Sequence, residues 1–443
     1  MPDPRFDPPW NERVKFDPAG GFAYVPNTAY FRDSIVDEDF VNDLRAEGES
    51  FAFEHGLAHG FAAIRGTYDA IRVVAQLRAK GVDAQPDHVL FAHGMTCCCC
   101  GPHPATGCDP MFLANPLHAN PLHANPLHAN PLHANPLHAN PLHANAADPN
   151  GPIRSSARPA EAPPWYSVTP RAGASGPSTG TPKVVVIDTG IAGTTDLPEF
   201  LRQARGVGAA GNANVDVADE NSDQWLDPAA GHGTFIAGII ERIAPGCAVD
   251  VIKVLGPQGA GSESEVVAAI DTVAANRQDP PAFLNLSFGG YVWEQAPMLS
   301  AAVLNAQQRG IVVVASAGND GTCRPSFPAA IPGVVSVGAI GPWGPAWFSN
   351  YGDWVRACAP GVDVVSSFFA SFDGKEPPSG GRDIDNFRSW ATWSGTSFAA
   401  PAVVGALVRE MRASNCTPTQ AVDRLIDAPW LGRIPGLGTV VNV

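Results

Sequence analysis

The chain has 443 residues, 45% of them hydrophobic and 16% charged, with a formal net charge of −15. That apolar content can fill a sizeable folded core, whereas the acidic balance disfavours nucleic acid and anionic membranes as partners. No run approaches the ~20 apolar residues that a membrane-spanning helix needs.

Residues 1–20 read as an N-terminal tail. MPDPRFDPPWNERVKFDP lacks the basic-then-apolar signature of a secretory signal peptide. A cytoplasmic location is therefore expected, with export by a non-standard route or a misplaced start codon as the alternatives. Residues 21–92 predict strand (Phe22 to Phe31), helix (Val36 to Ala46), strand (Ser50 to His55) and strand (Gly60 to Arg65). A helix (Tyr68 to Lys80) and a strand (Val82 to Phe91) complete a small α+β domain of ferredoxin-like βαββαβ order.

Residues 93–164 read as a linker. It opens on Cys97, Cys98, Cys99 and Cys100, with Cys108, His93 and His103 nearby. Adjacent cysteines are awkward disulfide partners, and their spacing matches no zinc ribbon or finger. ANPLH then repeats six times from Ala114 to His143. Asn-Pro every five residues interrupts a helix and removes backbone donors, so an extended, low-complexity segment is expected. A stacked coil of five-residue period and weak metal binding by the histidines are the competing readings. The stretch from Ala146 to Gly180, rich in Pro, Ala, Ser and Gly, continues the linker.

Residues 165–443 alternate strands and helices. Strands are expected near 183–188, 248–254, 283–287, 311–316 and 334–338. Glu263 to Ala275 reads as a helix with Val266, Val267, Ile270, Val273 and Ala274 on one face. This alternation predicts an α/β fold with a parallel sheet covered by helices on both sides. Cys247, Cys323, Cys358 and Cys416 read as free thiols, or as a Cys323–Cys358 bridge between two loops.

Chemistry concentrates in a few segments. VVVIDTGI places Asp188 at the end of a buried strand, at the carboxyl edge where open α/β sheets form crevices. GHGTFIAG places His232 between two glycines at the start of an apolar helix. SGTSFAAPA opens a helix (Phe398 to Met411) at Ser397, with Pro401 in its first turns. Carboxylate, imidazole and hydroxyl are the parts of an activated serine nucleophile. An aspartic protease would need a second DTG or DSG half. An α/β-hydrolase would need G-x-S-x-G, followed by its acid and histidine. Neither is present.

These segments, in the order Asp188, His232, Ser397, resemble the subtilisin-like serine proteases. The resemblance runs from about Trp165 to the C-terminus. It implies a subtilisin-like parallel sheet and serine endopeptidase activity on protein or peptide substrates. In that family the Asn of an AGN sequence donates to the tetrahedral oxyanion, and Asn319 of IVVVASAGND matches it. LNLSFGG resembles the strand that pairs with substrate and walls the primary pocket, giving Leu286, Ser287, Phe288 and Gly289. Gly259, Ala260 and Gly261 resemble the facing edge, and Ala317 with Gly318 the other pocket wall. Asp320 stands at the pocket rim, where it would favour a basic side chain. HGFAAI and VDAQPDHVLF also resemble the second half of a subtilisin propeptide, which implies a zymogen with a folding and inhibitory domain. An unrelated α+β domain or a substrate-recruiting module are the other readings of residues 21–92.

The family's calcium sites find no clear match. The acidic stretch Asp216 to Asp227 has cation-binding residue types, yet a solvated loop also accounts for it. No cofactor and no metal ligand is assigned, structural calcium staying open, and a monomer is expected. A processing protease for a single partner peptide in the cytoplasm, and a binding module on a protease fold, are the alternative functions.

Overall fold

Alternating and continuous apolar runs build two different sheets in this chain. The computed structural model describes residues 14–17, 19–32, 50–92, 157–161, 182–202, 204, 207–209, 214–220, 222, 224–292, 296–374 and 386–443. The expected helix Val36 to Ala46, the cysteine run and the ANPLH repeat lie outside the described residues.

The first sheet contains β1 (Phe22–Arg32), β2 (Phe51–Glu54), β3 (Phe61–Gly66) and β4 (Ala84–Ala92), with helix α1 (Ala70–Ala79) between β3 and β4. Their order is β4-β1-β3-β2, and each neighbouring pair is antiparallel. Asp69 caps α1 by accepting the Ile71 N–H. The helix buries Val73, Val74 and Leu77 against Phe22, Phe31 and Ile64. Lys15–Asp17, read from sequence as tail, forms a strand paired with Phe22 to Tyr24.

The second sheet carries the rest of the chain. In sequence order its strands are β5 (Lys183–Asp188), β6 (Val207–Ala209), β7 (Ala248–Lys253), β8 (Phe283–Leu286), β9 (Val312–Ser316), β10 (Val335–Gly341), β11 (Ala357–Pro360) and β12 (Gly438–Val440). They lie in the order β12-β11-β10-β9-β8-β5-β7-β6, and every one of these steps is parallel; Gly344–Pro345 and Arg433–Ile434 add antiparallel to β10 and β12. Successive side chains of a strand point to opposite faces. In β5, Val184 and Val186 accordingly join one core with Phe235, Ile240, Val403 and Leu407. Val185 and Ile187 join the other, with Val266, Ile270, Leu299 and Val303. Helices α2 (His232–Ile243) and α5 (Thr396–Ser414) cover the first face, and α3 (Glu263–Ala275) and α4 (Pro297–Gln308) the second. A continuous apolar strand needs both faces covered, and here both are.

The two sheets meet through short edge segments. Residues 89–91 of β4 pair antiparallel with Ala260–Ser262, matching Phe91 to Ala260 and Leu90 to Gly261. On its other side the strand end pairs with Phe288–Gly289, matching Ala92 to Phe288 and Phe91 to Gly289. Side chains reinforce the junction where β4 crosses the starts of α3 and α4. Gln85 donates to Glu263 at 2.9 Å and accepts the Met298 N–H at 3.2 Å. Asp87 accepts both the N–H and the hydroxyl of Ser264, at 3.1 and 2.9 Å. His88 and Glu263, each without exposed side-chain surface, lie 2.5 Å apart. His59 Nε2 reaches Asp271 at 3.0 Å.

The Cys323–Cys358 bridge does not form: Cys323 is disulfide-bonded, while Cys358 is a free, buried thiol. Sequence spacing carries no Cα–Cα distance, which is what decides a bridge. Burial pushes the Cys247 and Cys358 thiols up to about 12, so neither is set up as a nucleophile.

Helices α2 and α5 touch where Gly405 meets Ile243; a Cβ on Gly405 would lie 2.8 Å from the Ile243 Cβ. Gly405→Ala gains about 1 kcal/mol of helix propensity but forces overpacking worth about 1–3 kcal/mol. The expected outcome is a lower urea unfolding midpoint at unchanged slope.

Candidate active site

Asp188 ends β5 because Gly190, at φ +98°, turns the chain away. The turn is tight: a Cβ on Gly190 would stand 2.5 Å from the Asn214 carbonyl oxygen. Gly231, at φ +78°, starts α2, and a Cβ on Gly233 would lie 2.1 Å from the Gly190 oxygen. Only glycine permits this approach, and the approach brings the imidazole to the carboxylate. His232 Nδ1 donates to Asp188 Oδ1 at 2.7 Å, and the Thr189 N–H donates to the same oxygen at 2.8 Å. Both side chains are fully buried. The rings of Trp393 and Phe398 flank the imidazole, with centroids 5.4 Å away. That apolar wall strengthens the buried hydrogen bond.

Ser397 is the second residue of α5. Its hydroxyl donates to the Ser287 carbonyl at 2.9 Å rather than to His232. His232 Nε2 is buried with no hydrogen-bond partner among the described residues. Pro401 explains half of the Ser287 arrangement. It lacks the N–H that would bond the Ser397 carbonyl four residues earlier, and the Ser287 hydroxyl donates to that carbonyl instead, at 2.9 Å. Pro401 therefore lies inside the helix, and its missing donor is replaced by the residue that follows β8.

Asn319 follows β9. Its Oδ1 accepts the N–H and the hydroxyl of Thr396, each at 2.9 Å, and the Thr396 hydroxyl accepts the Gly318 N–H at 3.1 Å. This locks the amide orientation and makes the NH2 the donor end of the side chain. With the N–H groups at the start of α5, it forms a donor set of the kind that stabilises a developing oxyanion.

The expected substrate segments come together around β4. Ala260 and Gly261 pair with it on one side, and Phe288 and Gly289 on the other. The Gly259 carbonyl accepts the Ala92 N–H at 2.7 Å. Leu286 ends β8 and is fully buried, with Ser287 beside it. Ala317 and Gly318 continue from β9 and are held by Asn350, whose amide donates to the Ala317 carbonyl at 3.0 Å. Asn350 Oδ1 also accepts the Asp320 and Thr322 N–H groups at 3.0 and 3.2 Å. The Asp320 carboxylate accepts the Tyr291 hydroxyl at 2.8 Å, so a basic substrate group would share it. Sequence reasoning missed Asn350, Tyr291 and Thr396 in these roles, since their partners lie far away in the chain.

Among the described residues, no three His, Cys, Asp or Glu side chains converge as a cation site. In the stretch from Asp216 to Asp227, carboxylates of Asp216, Asp219 and Asp227 accept the backbone N–H groups of Gly231, Gln224 and Glu220. These carboxylates are taken up by backbone N–H groups of their own loop and of the turn before α2.

The profile of the subtilase family matches residues 179–428. A thermophilic serine proteinase of Bacillus sp. (strain AK1) is 34% identical over 221 residues, 47% of this chain and 48% of that protein. Subtilisin-like protease 2 of Pseudogymnoascus destructans is 35% identical over 228 residues, 50% of each chain. Subtilisin Savinase of Lederbergia lenta is 32% identical over 244 residues, 52% of this chain and 77% of that one. A crystal structure of a cold adapted subtilisin-like serine proteinase aligns at 27% identity and TM-score 0.43, over 58% of this chain and 86% of that one. The chain spans about half the length of the first two of these relatives.

Gly233→Ala would place a methyl group against the Gly190 carbonyl, 2.1 Å away. The expected outcome is loss of Ser397 labelling by a fluorophosphonate, because His232 and Asp188 are pushed apart. Labelling at the unmodified rate would show that the close approach is dispensable.

Proposed function

This chain belongs to the subtilase family, and from that premise we propose that it is a serine endopeptidase made with its own N-terminal inhibitory domain. The observation that carries the reading is the 2.7 Å Asp188–His232 hydrogen bond beside the start of the helix that holds Ser397. Asp188 holds the imidazole with a proton on Nδ1, so Nε2 is the basic nitrogen. The reaction requires the Ser397 hydroxyl to turn from the Ser287 carbonyl to Nε2. His232 takes its proton as the oxygen attacks the peptide carbonyl. Asn319 and the Ser397 N–H then stabilise the oxyanion. His232 next protonates the leaving amine, and water releases the acyl group through a second tetrahedral intermediate.

Substrate would bind as an extended strand between Ala260–Gly261 and Phe288–Gly289, making main-chain hydrogen bonds to both. Residues 89–92 hold that place in the full chain, which supports the propeptide reading of residues 21–92 over an unrelated domain or a recruiting module. Cys323 is disulfide-bonded. Oxidising compartments sustain such bonds, which favours export over the cytoplasm.

Ser397→Ala should abolish both peptide hydrolysis and phosphonate labelling; labelling that persists elsewhere would sink the assignment. Asn319→Leu should keep the acyl chemistry but lower kcat by about 10²–10³-fold, the loss measured for the corresponding donor in subtilisin itself.

The docked domain should also respond to pH. Burial pushes the Asp87 carboxyl from 3.8 to about 7; the Ser264 bonds oppose that rise, the Glu263 charge adds to it and Arg65 lowers it. A raised docked-state value means that this contribution to docking is fully present below the free value and lost as pH rises through about 7. Hydrogen exchange of the Ser397→Ala chain, corrected for intrinsic rates, should show β4 better protected at acid than at alkaline pH. Stronger protection at alkaline pH would remove Asp87 as a determinant of docking.

A further inference from the structure

A further buried polar group touches both segments that carry the Asp188–His232 pair. Asp216, 2% exposed, lies in the short strand Val215–Asp216, which pairs in parallel with Ile191–Ala192 just beyond Asp188. Its Oδ2 accepts the Thr189 hydroxyl at 2.8 Å and the Gly231 N–H at 2.8 Å. The Thr189 hydroxyl in turn accepts the Gly233 N–H at 3.1 Å. Thr189 follows Asp188 directly, while Gly231 and Gly233 stand on either side of His232. One carboxylate oxygen therefore gathers the backbone on both sides of a hydrogen bond made by other residues.

The alternative, that Asp216 is an ordinary structural carboxylate, leaves one fact without a reason. A buried carboxyl is costly, and this one is bonded to both segments that carry the pair. We propose that Asp216 is a positioning residue for the Asp188–His232 pair, holding the Thr189 and Gly231–Gly233 segments in register. The proposal rests on the endopeptidase reading only for its kinetic consequences; the positioning itself is a matter of the pair.

The charged groups around Asp216 are Lys253, across from it on β7, and Asp188. Burial pushes its carboxyl up to about 7; Lys253, the Thr189 hydroxyl and the Gly231 N–H act against that rise, and Asp188 adds to it.

The test compares the full chain with Asp216→Asn, which keeps a carbonyl acceptor, and Asp216→Ala, which removes it. Rates are normalised to active sites counted by phosphonate titration, so misfolded protein does not enter kcat. Asp216→Ala should lower kcat by about 10²-fold, the scale of a small misplacement of catalytic groups, with KM nearly unchanged. Asp216→Asn should recover most of that loss.

A readout independent of turnover is the strongly deshielded Nδ1–H resonance of His232, followed in the Ser397→Ala background. It should persist with Asp216→Asn and vanish with Asp216→Ala. Unchanged normalised kcat and an intact resonance in Asp216→Ala would overturn the proposal. So would equal loss in both variants confined to the number of titratable sites. If neither the full chain nor the chain freed of residues 1–92 by limited proteolysis cleaves a peptide while the resonance responds as stated, the endopeptidase reading fails and the positioning role stands.

Discussion

The contact between the Gly190 carbonyl and the start of α2 is the constraint on which the site depends. It lets the end of a buried strand and the first turn of a buried helix share one small volume, where Asp188 and His232 come within 2.7 Å. Neither residue could hold this geometry alone. Asp188 is fixed because β5 lies between β8 and β7 with apolar cores on both faces. His232 is fixed because α2 packs its apolar stripe into one of those cores, with Trp393 and Phe398 against the ring. Precision at the polar pair is thus supplied by close packing of groups that carry no chemistry.

The second organising feature is the pair of strand edges beside Ser397. Unpaired edges accept any extended chain of suitable shape. Here the chain supplies its own strand, residues 89–92, and backs it with Gln85, Asp87 and His88 at the starts of α3 and α4. These polar groups are buried and mutually satisfied, so the junction depends on protonation as well as on apolar contact. Backbone pairing carries little sequence preference, whereas the side-chain contacts are specific to this domain.

Much of the architecture was legible before folding was considered. The β-branched run at Lys183–Asp188 and the helix at Glu263–Ala275 appear where the patterns place them. The helix carrying Ser397 is longer than periodicity suggested, spanning Thr396–Ser414, because its first turn is polar and its last turn exposed. Other features were illegible for a common reason. Ser287 supplies the donor that Pro401 lacks across 110 residues of chain, and Asn350 holds a wall 33 residues away. Asp216 sat in an acidic stretch that resembled solvated loop, yet it is buried. Cys323 and Cys358 suggested a bridge that the fold does not make.

The sequence by itself determined the layered α/β order, the side chains able to form a nucleophile, base and orienting acid, and the glycines where backbones must approach. It could do so because hydrophobic period and backbone freedom are local properties, readable over a few residues. Tertiary structure alone decided that the Ser397 hydroxyl rests on the Ser287 carbonyl, that β4 lies between the two strand edges, and that Asp216 reaches both sides of the Asp188–His232 pair. Those outcomes depend on distances between segments far apart in the chain, and such distances are set only when both faces of the parallel sheet are packed.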